Sequence, residues 1–214
     1  MSPIKIYVWE EGREICLRQG FKNTKNLKIV VWKMGFWPKL GFAVNYIARI
    51  ILSVGEAFKL VIDNRPSTVV YSASDFWMDS VPGFILKVRY PKITWIGTFY
   101  LAAPNPFVGF VEKGKMKPPS LKNIVYWLQQ YPIYWMIRLF SDMVCVTSDP
   151  DRRRFPWQDK KKAILVVRGG VDLKVTNLWK KRFGKISKIY DGVFLGRFHP
   201  QKGVVELVDI WAKV

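Results

Sequence analysis

Two aspartates, Asp75 and Asp79, follow a short β-branched run at 68–71. Carboxylates just past the end of a buried strand are placed to meet an acceptor hydroxyl as acid–base groups. The same residue types also serve as turn and helix-cap carboxylates, and both readings stand at this stage. A second cluster lies near the C-terminus, in Val193-Phe194-Leu195-Gly196-Arg197-Phe198-His199-Pro200-Gln201-Lys202-Gly203-Val204. It reads as an apolar strand stopping at a glycine, a short turn and the start of a helix. A helix N-terminus presents unpaired N–H groups and a positive dipole to an anion. Arg197 can grip a phosphate bidentately, and Lys202 adds a compact charge across the turn. Together they can neutralise a diphosphate leaving group without a metal ion; the competing reading is a surface turn whose cations stay hydrated.

Other chemistries find little support. The single histidine, His199, falls inside this turn and reads as a variable loop residue, so no Ser/His/Asp arrangement is credible. Cys16 and Cys145 are far apart and form no metal-type pair, which argues against a zinc site or a disulfide scaffold. No metal and no resident cofactor are expected.

The elements that must position these groups alternate in type. Residues 4–9 and 27–32 read as strands. Val44, Ile47, Ala48, Ile51, Leu52, Gly55 and Phe58 recur at three- and four-residue spacing and mark an amphipathic helix. A strand at 68–71 precedes a Ser- and Asp-rich loop at 72–80, and Pro82 reads as the opening of a helix to about residue 88. A strand at 93–96, a proline-rich loop at 102–119 and a helix at 120–140 containing Pro132 come next. Strands at 143–147 and 164–167 flank a basic segment, and a strand at 189–195 leads into the turn at 196–203. The continuous apolar strands predict an α/β fold, with a parallel sheet and helices on both faces.

The 214 residues carry 35 Lys or Arg against 16 Asp or Glu, a formal charge of +19, and half of the chain is hydrophobic. That apolar content excludes a disordered polybasic tail. No signal-peptide or membrane-spanning run develops, which predicts a soluble or peripheral protein. Residues 151–188 hold thirteen Lys/Arg against three acids, a pattern fitting a solvated face or an anionic membrane surface. Trp127, Tyr131, Tyr134, Trp135 and Met136 form an aromatic-rich band near Lys122 and Arg138; interfacial membrane contact and ordinary packing fit it equally. Arg152–Arg154 with Phe155 and Trp157 interleave charge and rings as single-strand binders do, yet no RNA-binding motif surrounds them, so nucleic acid is disfavoured.

The wording Gly-Arg-x-x-x-x-Lys-Gly at 196–203, after an apolar strand and before an apolar-periodic helix, resembles the start of the second domain of family 4 glycosyltransferases of the GT-B fold. The resemblance continues more weakly through Arg168-Gly169-Gly170-Val171-Asp172, where Gly169 stands for the usual Asn, and through Ser141-Asp142 with the strand ending at Ser148. The loop at 72–82 resembles the one near the acceptor site. The Gly-rich loop of that family is not evident after the first strand, where Glu10-Glu11-Gly12-Arg13 stands. Its acceptor-domain histidine is replaced by Thr98 and Phe99.

The resemblance implies a Rossmann-like acceptor-side domain at 1–172, a basic linker at 173–188 and the start of a nucleotide-sugar-binding domain at 189–214. The chain then stops early in that second domain, which makes activity on its own doubtful. It further implies transfer of a sugar from a nucleotide-diphospho-sugar to an acceptor hydroxyl with retention. Arg197, Lys202, Gly196 and Gly203 would hold the donor diphosphate, and Asp75 and Asp79 are the weaker catalytic candidates. The acceptor is unassigned, with lipid-linked or polysaccharide precursors at the cytoplasmic membrane face in view. The alternative is a non-enzymatic basic Rossmann-like module binding a partner protein or nucleic acid.

Overall fold

A computed structural model describes residues 3–100, 102, 103, 105, 106, 110–112, 115–117, 121–168, 173–184, 190, 192–196 and 203–213. The chain divides into two compact units, Met1–Gly169 and Gly170–Val214.

The first unit holds a Rossmann-like parallel α/β architecture. Strands β1 (Ile4–Trp9) and β2 (Leu27–Trp32) pair in parallel, joined by α1 (Glu10–Arg18). A 3₁₀ turn (Trp37–Leu40) leads into α2 (Phe42–Lys59). The main sheet has four parallel strands in the order β3 (Val69–Tyr71), β4 (Thr94–Phe99), β7 (Met143–Val146) and β8 (Ile164–Val166). Between them run α3 (Trp77–Arg89), the antiparallel pair β5 (Phe110–Glu112) and β6 (Lys115–Lys117), α4 (Leu121–Phe140) and α5 (Pro156–Lys160).

The core forms where period-two strands meet the helices. Trp95, Phe99, Val144, Val146 and Ile164 project from one face of the sheet and pack with Ile133 and Ile137 of α4 and with Phe155. Each such side chain contributes roughly 1.5–3 kcal/mol by leaving water. Asp142 pins the start of β7 to β4: its Oδ2 accepts from the Trp95 N–H at 2.7 Å, and its carboxylate pairs with Lys87 of α3 at 2.7 Å. Both α3 and α4 cover this face. On the opposite face Val69, Tyr71 and Leu165 stay exposed, so the expected two-sided cover is one-sided at these positions.

Three expectations need correction: the start of α3, the loop at 102–119 and the strand at 189–195. Helix α3 opens at Trp77 rather than at Pro82. Its start is fixed earlier, because Phe76 O accepts from the N–H groups of Asp79 and Ser80, and Ser80 Oγ donates to Ser74 O at 2.8 Å. Pro82 then sits inside the helix, where it removes a single ladder bond, to Met78 O.

The stretch at 102–119 is not wholly a loop. Val111 pairs with Met116, and Glu112 with Lys115, in an antiparallel ladder.

Residues 173–183, for which a basic linker is expected, form α6 (Leu173–Phe183), a helix that leaves the linker reading as it stands.

In the expected strand at 189–195, the described residues are not in a strand, and Val193 and Leu195 are 82% and 97% exposed. A strand needs a neighbour for its N–H and C=O groups, and none is found among the described residues of this unit. The helix expected near Val204 is present as α7 (Val204–Trp211).

Candidate functional site

The carboxyl ends of β3, β4 and β7 point the same way because the sheet is parallel, and the loops that leave them gather there. Ligands in open α/β sheets bind at this edge. Thr147, just past β7, donates from Oγ1 to Tyr100 O, just past β4, at 2.8 Å. Tyr71 and Tyr100 share a hydroxyl–hydroxyl hydrogen bond at 3.4 Å. That bond, then burial, pushes the Tyr100 phenol up to about 12.

Beside these loops, the N-terminal turns of α2 and α4 flank a cleft of about 480 Å³. Its walls include Phe42 and Tyr46 of α2, Phe76 and Trp77 at the start of α3, and Leu121, Val125 and Tyr126 of α4. Its polar groups are Asp75, Gln129 and Gln130.

Asp75 is placed by the loop after β3. Gln130 Nε2 donates to Asp75 Oδ2, and Gln130 Oε1 accepts from the Ala103 N–H. Burial raises the Asp75 carboxyl above its ordinary range; Gln130 and the backbone N–H groups of Asp75 and Tyr100 act against that rise. Asp79 lies one turn into α3 and accepts from Ser74 Oγ. Burial raises Asp79 too, opposed by Ser74 and by the charge of Arg49, while the neighbouring Asp75 charge raises it further. The structure therefore brings the two sequence candidates together, and Asp75 is the one that lines the cleft. A carboxyl displaced toward neutrality can exchange a proton with a hydroxyl.

Arg49, on α2, is committed elsewhere. It donates to Glu11 Oε1 at 2.7 Å and lies over the Trp9 ring. The expected Gly-rich loop has no counterpart, because α1 follows β1 directly at Glu10.

Arg197 and Lys202 lie outside the described residues, as does His199. Their glycine neighbours are described: Gly196 sits at a bend, and Gly203 has φ +61° immediately before α7. That left-handed conformation favours glycine, so this residue has a backbone reason to be there.

The aromatic band on α4 divides. The Tyr134 ring packs against Phe99 and Phe155, and its hydroxyl donates to Arg154 O at 2.7 Å. Tyr131 and Trp135 are exposed. Phe155 is fully buried and offers no stacking face to a base, and Arg152 is paired with Asp159 at 2.6 Å.

Phe42, Tyr46, Tyr126 and Gln130 were not singled out from the sequence. Gln130 stands beside Gln129 in the sequence, and only the fold shows that it is the one of the two that is buried and must find partners. Phe42 and Tyr126 had no signal, since aromatic residues on helices usually mark a core.

Among the described residues no group of three or more His, Cys, Asp or Glu could hold a metal ion, and no helix is long and apolar enough to cross a membrane. No family model matches the chain, and no curated protein matches it.

Proposed function

We propose that the chain is a glycosyltransferase of the GT-B, family 4 type, moving a sugar from a nucleotide-diphospho-sugar to an acceptor hydroxyl with retention. The reaction belongs to glycolipid, polysaccharide or glycan assembly at the cytoplasmic membrane face. The observation that carries this reading is Asp75, a carboxyl raised by burial and facing an open cleft at the carboxyl edge of the sheet. In this role Asp75 accepts a hydrogen bond from the acceptor hydroxyl, and Asp79 tunes it through its neighbouring charge. Arg197 and Lys202 hold the donor diphosphate and offset the charge that develops on it as the glycosidic bond breaks. The motif at 196–203 supports that assignment.

A second reading, a non-enzymatic basic module, draws on the absence of a paired strand among the described residues at 190–195. Incubation of the chain with nucleotide sugars separates the two. Nucleoside diphosphate release, or a thermal shift that saturates with nucleotide sugar, supports the transferase; neither effect under any acceptor condition leaves the binding module.

A further inference from the structure

The cleft beside Asp75 has two unlike ends. Phe42 is 84% exposed and Leu121 76%, so both stand at its mouth, and Phe76 and Val125 are exposed beside them. Asp75 and Tyr46 are half-buried and Gln130 is buried, which places them deeper. The polar atoms gather at that inner end. Burial raises the Tyr46 phenol, and the charges of Asp79 and Asp75 raise it further. Burial and then the charge of Asp75 do the same to Tyr126. Two phenol hydroxyls and one carboxyl therefore face the same space.

The rest of the lining offers a ligand few polar partners. Gln129 is exposed and its carbonyl accepts from Trp77 Nε1 at 2.9 Å, while the Gln130 amide is bonded to Asp75 and to the Ala103 N–H. A molecule with hydroxyls all round, such as a free sugar, would leave most of them unpaired against Phe42, Phe76, Leu121 and Val125. A molecule with no hydroxyl would leave Asp75 and both phenols unmet. An ammonium group is a poor match too. Asp79 is already opposed by the charge of Arg49, and Asp75 already accepts from Gln130 and from the N–H groups of Asp75 and Tyr100.

We propose that the cleft takes an alcohol with an apolar body, whether ring or alkyl chain. Its hydroxyl lies among Asp75, Tyr46 and Tyr126, and its body runs along Phe42 and Leu121. A volume of about 480 Å³ falls within the range of small-molecule pockets, about 300–1,000 Å³. Tyr46 and Tyr126 then select the hydroxyl, and the mouth selects the body. That this alcohol is the sugar acceptor rests on the glycosyltransferase reading; that it binds does not.

The test is a saturation-transfer NMR titration of the full chain with phenylethanol, octanol, phenylethyl methyl ether, phenylethylamine and maltose. At least one alcohol should saturate the protein, about tenfold or more tighter than maltose, and phenylethanol should bind about threefold or more tighter than its ether. The tighter of the two alcohols identifies the body as ring or chain. Tyr46→Phe with Tyr126→Phe keeps both rings and should bring phenylethanol and its ether closer together. Phe42→Ser with Leu121→Ser, at two exposed positions, should weaken the alcohol about fivefold or more. Circular dichroism melts verify that both variants fold. No saturable binding of either alcohol overturns the proposal, as does maltose binding as tightly as they do. Tighter binding of the amine assigns the site to a cation and overturns it as well. So does alcohol binding that either pair of substitutions leaves unchanged. Alcohol binding without transfer from any nucleotide sugar refutes the transferase and leaves the site; transfer to maltose but to neither alcohol does the reverse.

Discussion

Gln130, midway along α4, donates from its side-chain amide to Asp75, fifty-five positions earlier in the chain. The same side chain accepts from the Ala103 N–H, so one buried amide ties the loop after β3 to the loop after β4. This places the carboxyl at the cleft wall and holds the two loops in a fixed relation.

Replacing Gln130 by Met keeps the length of the side chain and removes both bonds. Asp75 and the Ala103 N–H then lose a partner in a part-buried setting, which costs about 1–3 kcal/mol. Urea denaturation should show a lower midpoint with an unchanged slope. An unchanged midpoint would mean that water replaces the amide without loss.

Gly83 sets helix propensity against packing. Alanine favours an exposed helix interior by about 1 kcal/mol over glycine. Here a Cβ on Gly83 would come within 2.4 Å of both Ser72 Oγ and the Trp95 Nε1 of a fully buried ring. Those two atoms are themselves hydrogen bonded at 3.0 Å, so neither moves without breaking that bond. Gly83→Ala should therefore destabilise by about 1–3 kcal/mol through overpacking. Thermal melts decide the matter, and a stabilised variant would show that the helix shifts freely.

Asp79 should reveal itself through pH. Its raised pKa means that the folded protein holds the proton more tightly than the unfolded chain does. Below the ordinary carboxylate range, near about 4, both states are protonated and the group contributes no penalty. The penalty grows as pH rises through the raised value and is complete above it, so stability falls across that window. Asp79→Asn stays neutral and can still accept from Ser74. It should melt higher than the parent at neutral pH, with a smaller loss between acidic and neutral conditions. Parallel curves for parent and variant would show that Asp79 is not the group responsible.

Under the proposed reaction, Asp75→Asn and Arg197→Ala should act differently. The first removes the acid–base group and lowers kcat on the order of 10²-fold or more while leaving donor binding intact. The second removes a donor-diphosphate contact, lowering turnover by a factor on the order of 10² and weakening donor binding with it. Steady-state kinetics with donor titration separates the two patterns. Identical effects on kcat and donor affinity would contradict the assigned roles.

Local periodicity was enough to place β1, β2, α2, α4 and α7, because each depends on the spacing of its own apolar residues. The start of α3 was misplaced from the sequence because Pro82 is a strong local signal. The bonds from Phe76 and Ser74 that open the helix earlier become visible only in three dimensions. The strand expected at 189–195 has the composition of a strand, yet composition cannot supply a neighbouring strand. The carboxylates Asp75 and Asp79 stood out by type and by position after β3. That Asp75 faces a cleft lined by Phe42 and Tyr126 was decided by how α2 and α4 each pack against α3, which brings together residues some eighty positions apart that no local pattern connects. The overall charge of +19 was likewise set by the sequence. Only the fold sets Asp75 and Gln130 against the apolar walls of one cleft, since charge adds along a chain but a site is made by whichever segments tertiary packing brings together.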